Sequence, residues 1–322
     1  MYRDVTEDDC MKFEKLLSKH EGTSATFIRR IWTDDQDLSL TRAQLENMKK
    51  FLIVMMYRSD FFRSQYFEER FDPFTEMSIH EHMEHNKIST MQAVWFENLK
   101  WLINASVENI LKEYQEAMET RPSHSIEAVL KSRKGPIYAV ELEEFGDIMA
   151  HSMVCIWEAP AGAEFILSEG CFGAFEGTLG FPIHRFFVIS PRFAIVLVVE
   201  KHENLRDKEG RVWVSLFGDE LHVHPETIYK KGPPPKDFDP AIHSTPKDVF
   251  KFQRIVIPKE EVYKVNGIVL DGRRQCLTYK SSASMYKSLC YYDKVKKNMF
   301  EIRNDYSILR RKLFSDLNRT HP

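Results

Sequence analysis

The sequence predicts an α+β protein with a helical N-terminal third, a central and mainly antiparallel sheet, and a helical C-terminus. Three observations predict it. Apolar residues recur at helical spacing to about residue 117. Short β-rich runs bounded by glycine or proline then follow, from about Pro136 to Ile257. Helical spacing returns after Tyr279 and continues to about Leu317.

Taken in order, Thr6 with Asp9 three residues on reads as a capping box, and Phe13, Leu16, Leu17, Phe27, Ile28 and Ile31 line the helix that follows. Ser39 or Thr41 opens a second helix with Leu45, Met48, Phe51, Leu52 and Met55 on one face. Residues 60–86 are charged and aromatic and predict shorter helices broken at Pro73. The stripe Val94, Trp95, Leu99, Leu102, Ile110 and Leu111 predicts one long helix from about Ser89 to Tyr114.

The period then changes. Pro136–Val140 is a strand candidate, and Ile148–Trp157 keeps helical spacing. Glu164–Leu167, Phe186–Ile189, Phe193–Val199, Val212–Phe217 and Phe252–Ile257 read as strands, with Pro191 marking a break between two of them. The proline-rich stretch 232–246 reads as a loop. No strand is expected in the first hundred residues. One α+β domain spanning 1–322 is expected, with a helical subregion at about 1–120, a sheet region at about 136–257 and a helical region at about 279–318.

The chain has 322 residues, 43% of them hydrophobic and 29% charged, which suits a large packed core and argues against disorder throughout. The net charge of −3 leaves no global basic field for nucleic acid, so any such contact needs a local patch. Cys10, Cys155, Cys171, Cys276 and Cys290 are odd in number, far apart and free of any CxxC pair. They predict reduced thiols and a cytoplasmic setting rather than a disulfide scaffold. The acidic N-terminus lacks the apolar core of a signal peptide, and no 18-residue apolar run predicts a membrane span.

No GxxxxGK[ST], GxGxxG or kinase signature is present, which disfavours the common nucleotide-binding enzymes. The run His80-Glu-His-Met-Glu-His85 and the pair His222-Val-His224 have metal-like spacing, but both read more simply as polar surface, so no metal and no cofactor are expected. Ser284-Met-Tyr-Lys287 matches SxxK without the motifs that accompany it in known Ser–Lys enzymes. From Lys287 to Arg319 nine Lys/Arg face four Asp/Glu, with Tyr286, Tyr291, Tyr292, Phe300 and Tyr306 interleaved, a composition able to hold an RNA backbone and stack on bases.

The richest stretch is Glu164 to Pro191. Ser168, Glu169, Glu176, His184 and Arg185 gather near two strand ends around a glycine-containing loop, and these five are the candidate catalytic residues. They are expected to line one cleft. Glu143, Glu144 and Ser190 are the substrate-binding candidates.

The same stretch carries a resemblance. Glu164-Phe-Ile-Leu-Ser168, Phe172-Gly173, Glu176-Gly177, His184-Arg185 and Ser190-Pro191 resemble the fungal branch of the domain-of-unknown-function family DUF4238. Leu16–Glu21, Lys50–Arg58 and Ile156–Ala159 are similar to that branch too, so the likeness covers about residues 1–200. The family's early His-aromatic-Ile/Val-Pro motif does not occur in the first 60 residues, and Glu169-Gly170 stands where bacterial members have Asp-Asn.

The resemblance extends to arginine-containing cyclodipeptide synthases, which join arginine to a second amino acid from aminoacyl-tRNAs. Their DDxxE motif has only an acidic analogue here, Glu143-Glu144-Phe-Gly-Asp147. The resemblance implies a fungal biosynthetic transferase that meets aminoacyl-tRNA through its basic C-terminal helix. Two alternatives stand beside it: a non-catalytic module binding nucleic acid or protein, and a metal-dependent hydrolase using the histidine runs.

Overall fold

The computed structural model describes residues 7–33, 38–120, 139–168, 172–176, 183–199, 215–232, 244–272, 276–300 and 303–320. The chain is α+β, with helices towards both ends and several antiparallel pairings between them. It separates into two compact units, one from residues 1–29 and 43–152 and the other from residues 30–42 and 153–322.

The first unit is helical. It holds most of α1 (Glu7–Thr33) and of α2 (Arg42–Arg58), then α3 (Asp60–Phe67), α4 (Pro73–Asn86), α5 (Met91–Asn104), α6 (Val107–Thr120) and α7 (Ala139–His151). Asp72 caps α4 by accepting from Thr75 N–H at 3.2 Å, so Pro73 takes the first helical position, where its missing N–H costs nothing. The single helix expected from Ser89 to Tyr114 is two. Ala105 is extended at φ −63° and ψ 142°, and Ser106 Oγ starts α6 by accepting from Asn109 N–H at 3.1 Å. The apolar stripe runs on across this break, which is why periodicity alone hides it.

The core of this unit centres on Tyr57, whose ring stacks 6.2 Å from Trp95 and meets Phe145 edge-on at 6.0 Å. Gly146 lets α6 and α7 approach closely, since a Cβ there would fall 2.1 Å from Tyr114 Cγ. Lys50 is buried and donates from Nζ to the carbonyls of Ile103 at 3.0 Å and Ala105 at 2.5 Å, meeting the negative end of α5. Burial lowers its pKa to about 8.

The second unit is built on a five-stranded sheet, ordered β4 (Phe172–Glu176), β5 (His184–Val188), β6 (Phe193–Val199), β2 (Ser152–Glu158), β9 (Arg254–Val256). β4, β5 and β6 pair antiparallel, whereas β2 and β9 run parallel. Every residue of β5 and β6 is buried; β6 is apolar on both faces, whereas β5 carries His184 and Arg185 before its apolar residues. On one face Trp157, Phe186, Val196 and Val198 pack with Val262 and Val269 of α8 (Lys259–Asp271), Met285 and Leu289 of α9 (Ser282–Met299), and Leu313 of α10 (Ser307–Thr320). Two small sheets complete the unit: β1 (Leu38–Thr41), β8 (Val249–Phe252) and β7 (Glu226–Ile228), and the pair β10 (Leu277–Thr278) and β3 (Leu167–Ser168).

Several local expectations are corrected. A strand does lie in the first hundred residues: β1 buries Leu38 and Leu40 and pairs with β8, an alternation too short to stand out in sequence. Residues 136–138 lie outside the described residues, and Ala139 and Val140 open α7 rather than continue a strand. The helical reading of Ile148–Trp157 fails after His151, where β2 begins. Residues 212–214 lie outside the described residues, and Ser215–Phe217 is not a strand. Within Glu164–Leu167 only Leu167 is in a strand. α8 was not expected at all.

Candidate functional site

The second unit carries a cleft of about 500 Å³. β2 ends at Glu158, β9 ends at Val256 and β6 begins at Phe193, and the loops at these ends form the walls. Three backbone bonds fix them: Ala159 N–H to Arg192 O at 2.8 Å, Phe165 N–H to Pro191 O at 2.9 Å, and Ile257 N–H to Glu158 O at 3.0 Å. The cleft thus sits beyond the carboxyl ends of a parallel strand pair, where α/β sheets place their ligands.

Residues Pro160–Ala163 form a tight turn closed by Ala163 N–H to Pro160 O at 3.1 Å, with Gly162 at φ +81°. That is the type II geometry, which favours glycine at this place. A Cβ at Gly162 would sit 3.3 Å from Lys259 Nζ, so the ammonium of Lys259 lies over the turn.

Both carboxylates in the wall are occupied. Glu158 Oε1 accepts from Arg192 through Nε at 2.7 Å and NH2 at 2.5 Å, with the glutamate side chain 14% and the arginine side chain 63% exposed. Glu164 is buried, and its Oε1 accepts from the N–H groups of Lys280 at 2.8 Å and Ser281 at 2.6 Å, at the entry of α9. Behind it Asn266 ties the wall together, donating to Glu164 O at 2.8 Å and Ser288 Oγ at 2.9 Å and accepting from Ile166 N–H at 3.0 Å. Ser284 Oγ accepts from Glu164 N–H at 2.9 Å while Lys287 is exposed, so the SxxK pair has a structural hydroxyl.

The sequence-selected residues are spread more widely than expected. His184 and Arg185 are neighbours on β5 and therefore face opposite sides of the sheet, so they do not line one cleft. Both are buried. His184 stacks on Phe186 at 5.8 Å and meets His222 with the two Nε2 atoms 2.8 Å apart, one ring donating and the other accepting. Arg185 pairs through its backbone with Phe175 and Leu197.

Ser168 is buried in β3, its Oγ without a hydrogen-bond partner among the described residues. Glu169 lies outside the described residues. Glu176 pairs with His184 along the backbone, and its side chain, like that of Glu143, lies outside what is described. Glu144 is half-buried on α7 in the first unit. Ser190 is nearest to the cleft. Its Oγ accepts from Arg192 N–H at 3.2 Å and Phe193 N–H at 2.9 Å, shaping the turn that presents Arg192.

The histidine runs do not converge either. His82 is buried on α4 while His80 and His85 are exposed. His222 packs against His184 in no strand, and His224 is exposed. Among the described residues no group of three or more His, Cys, Asp and Glu is placed to hold a metal. Among the described residues Cys155 and Cys290 are free thiols, and burial pushes Cys155 up to about 12. No helix among the described residues is long and apolar enough to cross a membrane.

Sequence reading missed a second acidic centre, in the first unit. Glu141 is buried, accepts the Tyr66 hydroxyl, and is pushed up to about 8 by burial and by the neighbouring charge of Glu144. It missed Glu158, Arg192 and Lys280 as well. Their only local signal is a small-residue turn after one apolar run and Pro191-Arg192 before another.

No curated protein and no solved structure matches the chain. The pattern of the family described as "Protein of unknown function (DUF4238)" matches residues 1–282 of the 322, and the chain belongs to that family.

Proposed function

We propose that the chain is a tRNA-dependent transferase that joins arginine to a second amino acid in a cyclic dipeptide. The observation that carries this reading is the half-buried Glu158 in the cleft wall, whose oxygen already receives a guanidinium, that of Arg192, through two N–H groups. A substrate arginine would take the same carboxylate by displacing an exposed side chain. The basic C-terminal hairpin supports the tRNA part. Lys287, Lys294 and Lys297 of α9 and Arg311, Lys312 and Arg319 of α10 are all exposed, and Phe314 stands among them 53% exposed.

In the reaction the amine of one aminoacyl ester attacks the carbonyl of the other and releases one tRNA hydroxyl. The second amine then closes the ring and releases the second tRNA. The amino-acid cations need carboxylates and the tRNA needs a basic surface, and the unit supplies both.

Mass spectrometry of extracts from a host expressing the gene tests the reading. A new arginine-containing diketopiperazine is expected, reduced about 10- to 100-fold by Glu158→Gln at unchanged melting temperature. RNA binding without any such product would replace this reading with the non-catalytic one.

A further inference from the structure

We propose that Lys259, over the Pro160–Ala163 turn, and Lys280, which lines the same cleft, form a phosphate subsite. This deepens the reading above by assigning the anionic part of the substrate. It rests on different residues from those proposed to hold arginine.

Charge pairing in the wall leads to it. Each acid that lines the cleft is committed, Glu158 to Arg192 and Glu164 to two backbone N–H groups. The ammonium groups are not. Lys280 lines the cleft and Lys259 Nζ overhangs Gly162, and neither makes an ion pair among the described residues. Nearby acids on α8 have their own geometry: Glu261 pairs with Lys264 at 2.7 Å, and Glu260 is exposed on the first turn.

The start of α8 adds to the same field. Pro258 stands at its N-cap and gives the first turn no side-chain hydrogen bond. The positive end of a 13-residue helix therefore begins three residues beyond Val256 in the cleft wall. The turn helps sterically. Its residues are alanine, glycine and proline, so a ligand approaches backbone rather than bulky side chains. A cavity of about 500 Å³ holds far more than one phosphate and suits a nucleotide. Lysines are point charges without a fork, and phosphate is the anion they meet without a demand for planar geometry.

Calorimetric titration of the full chain with inorganic phosphate, with AMP and with a short oligonucleotide ending in CCA tests the subsite. AMP is expected to bind, with free phosphate competing weakly. Lys259→Ala and Lys280→Ala should each weaken AMP about tenfold, and the double variant should abolish binding. Lys280→Arg should retain it, because the positive charge is kept. Replacing Lys294 and Lys297 of the hairpin by alanine should leave AMP unchanged and weaken only the oligonucleotide.

Absence of AMP binding, or equal binding by wild type and the double lysine variant, overturns the subsite. AMP binding that depends on the lysines in a protein that makes no cyclic dipeptide would sink the transferase reading and leave the subsite standing. Product formation that is indifferent to both lysines would do the reverse.

Discussion

Two buried carboxylates, one in each unit, meet the same problem in different ways. Glu141 is 8% exposed and Glu164 is 7% exposed, so burial does not separate them. Their partners do. Glu164 lies at the entry of α9, where two backbone N–H groups converge on one of its oxygens. Glu141 has one phenol donor, Tyr66, and a second carboxyl, Glu144, close enough to repel it. With so little to balance a charge there, the acid keeps its proton, and its pKa rises to about 8. A buried acid is thus settled by donors in one unit and by a retained proton in the other.

The largest expected effect comes from breaking the proton-retaining side. The folded protein holds the Glu141 proton up to about pH 8, whereas the unfolded chain releases it near 4.5. Between those values the folded state binds more protons, so stability falls as pH rises, by at most about 1.4 kcal/mol per pH unit. Urea unfolding at pH 5, 6.5 and 8 should show this decline, and Glu141→Gln should flatten it. A wild-type curve as flat as the variant's would refute the assignment.

Next comes the donor-rich side. Glu164→Ala leaves the entry of α9 without its carboxylate and should cost about 2–4 kcal/mol, read as a lowered urea midpoint. Measuring at pH 8, where the Glu141 contribution has faded, separates this loss from that one. A loss below about 0.5 kcal/mol would show that the N–H groups find other partners.

The smallest effect sharpens the comparison at the same helix end. Ser281 Oγ accepts from Ser284 N–H at 3.2 Å as the neutral cap of α9. Ser281→Ala should cost about 1 kcal/mol, less than loss of the charged partner beside it. If the two variants cost the same, charge adds nothing at this site.

Strong periodicity made much of this architecture legible. β6 is one unbroken apolar run, and α2 buries most of its residues from Met48 to Tyr57. What stayed hidden depends on contacts distant in sequence. β1 is four residues paired, among the described residues, with β8, more than two hundred positions away. α8 places Val262, Val265, Ile268 and Val269 in its buried face, β-branched residues that look like strand when read locally. Sequence reading did select the stretch that runs from Glu164 to Pro191, and both ends of it border the cleft. It could not join them to Glu158, Val256 and Lys280, because only the parallel pairing of β2 with β9 and the entry of α9 bring those segments together. Adjacency misled it in the opposite sense, since neighbours on a strand, such as His184 and Arg185, point apart.

The tight turn at Pro160–Ala163 has one further consequence. It forms part of the cleft wall, yet none of its residues belongs to a strand of the five-stranded sheet. On the proposed reading, this turn can set ligand preference without being part of the sheet's strand ladder. A relative could lengthen or re-letter this turn and accept a different guest while every strand and its register remained as they are.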